Sequence, residues 1–199
     1  MSITVVVATF GDDIWREYAK RAVASVGNSA PVIHVHGDSL ADARNKCLDR
    51  VETEFVVHLD ADDTLLPGYV NAMLRGSADV RVPMVSNMHN SYRKPYSLMV
   101  YGHQHSCEAD CLLEGNYIVV GAAVRTDLAR EVGGWQDEEI YEDWSLWLRC
   151  YCAGATFEHI PEAIYGFHSR RDSRNHSGVA FNERHAWHQR IRDSILGAA

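Results

Sequence analysis

Phe55-Val56-Val57-His58-Leu59-Asp60-Ala61-Asp62-Asp63 begins as a short apolar run and turns abruptly into carboxylates. A run of that length is too short for a typical helix and fits a strand buried on both faces of a parallel sheet. Upstream, Ser39 can cap a helix bearing Leu40, Ala43, Cys47, Leu48 and Val51 on one side. Val32 to Val35 is another short strand. Before it, Ile14, Tyr18, Ala22 and Val26 recur every four residues, an amphipathic helix with Asp12 and Asp13 as capping candidates. Ile3 to Thr9 is a β-branched run suited to a central strand. The order β-α-β-α-β with short connections implies right-handed crossovers and a doubly wound, Rossmann-like, mainly parallel α/β sheet. Such sheets bind ligands beyond the carboxyl ends of their strands. Gly11, Gly37-Asp38 and Asp60-Ala61-Asp62 fall at those ends.

Further along, residues 87–115 are irregular and rich in His, Tyr and Ser, the composition of a functional loop. Tyr117 to Val124 reads as a strand, and Thr126 can cap a short helix that Gly133 and Gly134 end. Tyr141 to Ala153 reads as a helix whose Trp144, Leu148 and Tyr151, with Trp147 beside them, are core aromatics and aliphatics. Thr156 to Ile160 and Ile164 to His168 read as two strands, and Phe181, Trp187, Ile191 and Ile195 mark a closing helix. No repeat or linker interrupts residues 1–199, which read as a single domain. Residues 1–86 would be its nucleotide-binding half, 87–177 its acceptor and catalytic half, and 178–199 a C-terminal helix.

The chain is 46% hydrophobic and 23% charged, within the usual range of one globular domain. No stretch approaches the roughly 18 consecutive apolar residues of a membrane span, and no secretory pattern opens the chain, so a cytoplasmic location is expected. Five cysteines, two of them at positions 150 and 152, make a poor disulfide framework, and reduced thiols are expected. A net charge of −8 works against non-specific attraction to nucleic acid or anionic lipid.

Asp60 and Asp62 are two apart in what reads as extended chain, which would put both carboxylates on one side, about 6 to 7 Å apart. Oxygen ligands with open positions suit Mg²⁺ or Mn²⁺ clamping a diphosphate, while Ala61 would face the other way. Standing alone, such a pair more often caps a helix. Arg170, Arg171 and Arg174 are the densest positive cluster. Beside a diphosphate, guanidinium forks could close over the donor, although a charge run is more commonly plain surface. His103, His105, Cys107 and Cys111 offer zinc-type ligands in an uncommon spacing, against which eleven histidines raise the odds of accident.

Two blocks carry a family likeness. Ala43-Arg44-Asn45 followed by the 55–63 stretch and Leu66-Pro67 resembles glycosyltransferase family 2, in which an Arg-Asn helix precedes a strand ending in Asp-x-Asp-Asp. Val132-Gly133-Gly134-Trp135, then Tyr141-Glu142-Asp143-Trp144, resembles that family's Gly-Gly-aromatic turn and Glu-Asp helix start. The resemblance implies a GT-A fold and an inverting, Mn²⁺- or Mg²⁺-dependent transfer of a sugar from a nucleoside diphosphate, uridine being the best guess. It implies Asp143 as the base on the acceptor hydroxyl, with Glu142 as the alternative. His168 would be a third metal ligand, and Thr9-Phe10-Gly11, Asp38 and Arg44 would contact the nucleoside. A helix N-terminus would keep the Asp143 carboxylate ionised. The Pro-Thr-aromatic-Asn of the family is only partly echoed, and its Gln-x-x-Arg-Trp element is missing, which favours single transfer.

Two rivals stand beside this reading. A nucleotidyltransferase would share the sheet and the metal carboxylates, but Gly11-Asp12-Asp13 is acidic where a basic, glycine-rich loop would be wanted. A non-catalytic nucleotide-sugar-binding module would bind without consuming donor. The acceptor is open among protein, glycan, small molecule and modified nucleic acid, as is assembly into a homo-oligomer.

Overall fold

The computed structural model describes residues 1–88, 109–138, 140–168 and 181–197. Seven strands form one sheet in the order β2-β1-β3-β6-β5-β7-β4. They are β1 (Ile3–Phe10), β2 (Val32–Gly37), β3 (Phe55–Asp60), β4 (Thr64–Leu65), β5 (Val80–Asn87), β6 (Ala123–Arg125) and β7 (Phe157–Phe167). β1 runs parallel to β2 and to β3, and β5 parallel to β7, while β6 and β4 pair antiparallel with their neighbours. Strands β2, β1, β3, β5 and β7 therefore share one direction, in keeping with the mainly parallel sheet expected. The helices are α1 (Ile14–Val26), α2 (Leu40–Asp49), α3 (Tyr69–Met73), α4 (Thr126–Glu131), α5 (Glu142–Cys152) and α6 (Phe181–Leu196). None of the described helices is long and apolar enough to cross a membrane.

The core is one buried cluster in which α1 and α2 pack on β1 and β2, and to which α5 contributes its aromatic face. Val5, Val6, Val7, Val56 and Val57 are fully buried, as are Trp144, Trp147 and Leu148. Burial leaves the two indole N–H groups needing acceptors, and each finds a carbonyl. Trp144 Nε1 donates to Leu112 O (2.8 Å) and Trp147 Nε1 to Ile118 O (3.2 Å). These bonds tie α5 to the irregular chain at 112–122, which was expected to be strand from Tyr117 onward. There the backbone instead turns, Ala122 N–H donating to Val119 O and Ile118 N–H to the Asn116 side chain, so only Ala123–Arg125 joins the sheet.

Other expectations shift in similar ways. The two strands expected at 156–168 are one, Phe157–Phe167, whose register slips opposite Pro83 and Met84 of β5. β5 itself escapes sequence reading because Arg81 and Pro83 break the continuous apolar run expected of a strand buried on both faces. Arg81 is nonetheless buried, its guanidinium lying 3.8 Å from the Phe55 ring and donating to Ala78 O and Met73 O. At the helix starts, Ser39 caps α2 as expected by accepting from Asp42 N–H at 3.1 Å. Asp13 makes no such side-chain bond at α1, and the expected cap Thr126 lies inside α4, behind Arg125.

Candidate active site

The site lies at the carboxyl ends of β1, β2 and β3. Asp38 is exposed just past β2 with Lys46 Nζ 3.7 Å away, and Phe10 is half-buried at the end of β1. Gly11, at φ +70°, has open space where a side chain would project. Its conformation turns the chain away from the strand at little cost, which a β-branched residue could not do. Thr9 behaves differently from the reading that grouped it with these residues. It is buried, and its hydroxyl lies 3.0 Å from His34 Nε2 and 3.1 Å from His36 Nδ1 of β2. It ties the end of β1 to β2, and its two imidazole partners carry no signal beyond alternation along a strand.

The acidic segment after β3 is a turn, not extended chain. Asp63 N–H donates to Asp60 O at 3.0 Å, so the spacing argument from a straight strand does not apply to Asp60 and Asp62. Ala61 is buried inside the turn, while Asp62 is half-buried and its carbonyl accepts from the Arg21 guanidinium. Asp63 is the buried carboxylate of the group. Tyr165 Oη donates to its Oδ2 (2.7 Å) and His168 N–H to its Oδ1 (2.8 Å), while Asp60 N–H donates in turn to Tyr165 Oη (3.3 Å). Burial first, and then the Asp60 charge, push Asp63 well above the usual carboxylate range. The segment is thereby pinned to the end of β7. His168 stands beside it, with Nε2 3.2 Å from Thr64 Oγ1. Among the described residues no three His, Cys, Asp or Glu side chains converge as a metal cage, so Asp60, Asp62 and His168 are not a preassembled trio. The donor set that does stand at the turn consists of hard carboxylate oxygens, and Asp60 keeps 39% of its side chain exposed. That chemistry fits Mg²⁺ or Mn²⁺, which commonly use one or two protein carboxylates and complete their shell with substrate phosphates and water.

Arg44 joins the two halves of the site. Assigned to the nucleoside by resemblance, it lies buried under the floor, with 2% of its surface exposed. Its Nη2 donates to Asp60 Oδ1 at 2.8 Å and its Nη1 to Glu142 Oε1 at 3.1 Å. Its guanidinium carbon sits 4.1 Å from the centre of the Trp135 ring. The Asp-x-Asp turn and the start of α5 are therefore held by one cation.

Asp143 follows on that helix start. Its Oδ1 accepts from the Trp144 N–H at 2.8 Å. The expectation that the helix terminus keeps it ionised is corrected. Burial, and next the neighbouring Glu142 charge, push its pKa up to about 7, against the pull of the Trp144 N–H, Arg44 and Asn116. Tyr141 precedes the pair in the left-handed conformation, φ 64°, with its ring edge-on to Trp144.

Arg170, Arg171 and Arg174 lie outside the described residues, as do His103, His105 and Cys107 of the proposed zinc cluster. Cys111 is disulfide-bonded, which corrects the expectation of reduced thiols at that position. Cys47, Cys150 and Cys152 are free, and burial raises the Cys47 thiol to about 11 and the Cys150 thiol to about 12.

The family model described as Glycosyl transferase family group 2 matches residues 55–196, most of the chain, including the acidic turn and the start of α5. This chain belongs to that glycosyltransferase family. It is also 37% identical over 67 residues to EpsH of Bacillus subtilis (strain 168), which carries the name of a glycosyltransferase. That stretch is 34% of this chain and 18% of EpsH, so the chain matches only a small part of that relative. Among solved structures, S. aureus TarS 1-349 in complex with UDP-GlcNAc superposes with a TM-score of 0.70 at 14% identity, over 100% of this chain and 67% of that one. A structure of S. aureus TarS gives 0.59 at 13% identity, over 98% of this chain and 43% of that one. The architecture of this family member is thus the GT-A type.

Proposed function

We propose that the protein is an inverting glycosyltransferase that moves a sugar from a uridine diphosphate donor to an acceptor hydroxyl. The observation that carries the reading is the Arg44 bridge. It brings the Asp60 carboxylate at the strand end and the Glu142-Asp143 helix start, far apart in sequence, to opposite ends of one guanidinium. A donor-side acid pair facing an acceptor-side acid pair is the arrangement such a transfer needs. The uridine nucleotide is favoured by the UDP-GlcNAc named for the TarS complex, the fold of which this chain shares.

The donor diphosphate would lie over the acidic turn, its nucleoside toward Phe10, Gly11 and Asp38. Asp60 and Asp62 would hold a Mn²⁺ or Mg²⁺ ion with the diphosphate oxygens, and that ion would neutralise charge on the departing diphosphate. His168 is the next donor group along, available if the turn and β7 close around the ligand. Arg170, Arg171 and Arg174 would add bidentate phosphate contacts. Glu142 is engaged with Arg44 in an ion pair. Asp143, with its pKa near neutrality, is matched to accept the proton of the acceptor hydroxyl. That oxygen then bonds to the anomeric carbon while the bond from this carbon to the diphosphate oxygen breaks. UDP leaves on the opposite face, which inverts the configuration.

Calorimetric titration of UDP into the protein with Mn²⁺ tests the donor half. Wild type should bind, and Asp62→Asn should lose the Mn²⁺-dependent part of that affinity while remaining folded. Equal Mn²⁺-dependent affinity in the two proteins would remove the acidic turn from the donor site.

A further inference from the structure

Trp135 is buried, and three independent contacts fix it beneath the site. From the side, Asn45 makes a reciprocal pair with its backbone, Nδ2 donating to Trp135 O and Oδ1 accepting from Trp135 N–H, both at 2.8 Å. From below, its indole Nε1 donates to His58 Nε2 at 3.1 Å. Above, its ring carries the Arg44 guanidinium at 4.1 Å. Gly134 completes the arrangement, because a Cβ there would come within 2.5 Å of Asn45 Oδ1, and its φ of +63° already disfavours any side chain.

His58 explains why the base of this stack is a histidine. It lies two residues before Asp60 on β3 and is only 2% exposed. To accept from the indole it must leave Nε2 bare, which places its proton on Nδ1, an atom with no partner among the described residues. A buried orphan of this kind is unfavourable, a cost set against the bond that the other nitrogen makes. An aliphatic side chain would remove the orphan but release the indole.

We propose that Trp135 is a positioning residue for the transfer reaction. Its ring, set by His58 and Asn45, holds Arg44 in the plane where one guanidinium reaches both Asp60 and Glu142, and so fixes the donor-side acids relative to the acceptor-side acids. The Arg-Asn helix and the Gly-Gly-Trp turn are then one device with one purpose. This assignment rests on the glycosyltransferase reading above. Arginine suits the role because its planar fork can stack on the ring and bind two carboxylates at once, whereas the compact ammonium of lysine has no such fork.

A double-mutant cycle tests it, read as the rate of UDP release from UDP-GlcNAc with Mn²⁺, at a temperature where circular dichroism shows every variant folded. Trp135→Leu should slow release by about tenfold or more when Arg44 is present. Against an Arg44→Lys background it should slow release by less than about twofold, because the group it positions is gone. Trp135→Phe, which keeps a ring under the guanidinium, should recover most of the loss. Should Trp135→Leu fail to fold, Asn45→Ala replaces it in the cycle, since Asn45 is only half-buried and its loss frees the Trp135 backbone without opening the core. Equal losses with Arg44 intact and in the Arg44→Lys background, or no gain on going from leucine to phenylalanine, would overturn the positioning role while leaving the transferase reading intact. A wild-type protein that releases no UDP and binds no nucleotide sugar would overturn both.

Discussion

Replacing Asp143 by asparagine should make the protein more stable and less active, and the gain in stability should depend on pH. In the fold its carboxyl titrates near 7, against an ordinary 3.8, because burial and the Glu142 charge disfavour the ionised form. A raised carboxylate pKa is a penalty on the folded state that is absent below about pH 4, grows as pH rises through the interval, and is complete above about 7. At about 1.4 kcal/mol per pKa unit the full shift corresponds to about 4 kcal/mol. Part of that belongs to the coupled Glu142 carboxylate, and part is relieved by solvent at a half-buried site, leaving about 1 to 3 kcal/mol. Asparagine keeps an oxygen for the Trp144 N–H and carries no charge to desolvate. Urea unfolding at about pH 4.5 and about pH 8 should therefore show the variant near wild type at the lower pH and about 1 to 3 kcal/mol more stable at the higher, with m unchanged. A variant less stable than wild type at the higher pH, or a difference independent of pH, would refute the claim that this carboxylate is strained in the fold.

Further expectations follow from other contacts. Gly134→Ala forces a Cβ into Asn45 Oδ1 and onto a left-handed backbone, and should cost about 2 to 4 kcal/mol in denaturant unfolding. A change below about 0.5 kcal/mol would show that the close approach yields freely. Tyr165→Phe removes the hydroxyl that serves both Asp63 and the Asp60 N–H, and should lower stability by about 1 to 3 kcal/mol while weakening Mn²⁺-dependent UDP binding. Unaltered metal dependence would uncouple the turn from β7. Among the free cysteines of the described residues, a thiol reagent at about pH 8 should label exposed Cys152 rapidly and reach Cys47 and Cys150 only on unfolding. Labelling of all three at one rate would contradict their burial.

The parts of the fold that sequence makes legible are those in which one period dominates. Val5 to Val7 and Val56 to Val57 have no polar alternative to a doubly covered strand, and Ser39 has an unsatisfied helix start to cap. β5 is hidden because Arg81 lays its guanidinium on the Phe55 ring and sends its nitrogens to carbonyls, a tertiary solution that cannot be read from the order of residues. The same holds at the site. Asp60, Asp62, Glu142 and Asp143 stand out as acids at element ends, but the turn at Asp60 to Asp63 and the burial of Arg44 arise from partners on β7 and α5. Trp135 stands in the Gly-Gly-aromatic turn and His58 in the strand before Asp60, but their pairing is not legible, because an indole and an imidazole in apolar surroundings are ordinary core residues until their nitrogens are seen to meet.

The central claim is that Asp143 takes the proton of the attacking hydroxyl over a nucleotide sugar held at the acidic turn. Its most direct test is the rate of UDP release from UDP-GlcNAc with Mn²⁺, water serving as the acceptor, for wild type and Asp143→Asn, alongside donor affinity by calorimetry. The account predicts a fall of about 10² to 10⁴ in rate with donor affinity unchanged within about threefold, and a wild-type rate that rises with pH through about 7. Wild-type turnover in Asp143→Asn would contradict it.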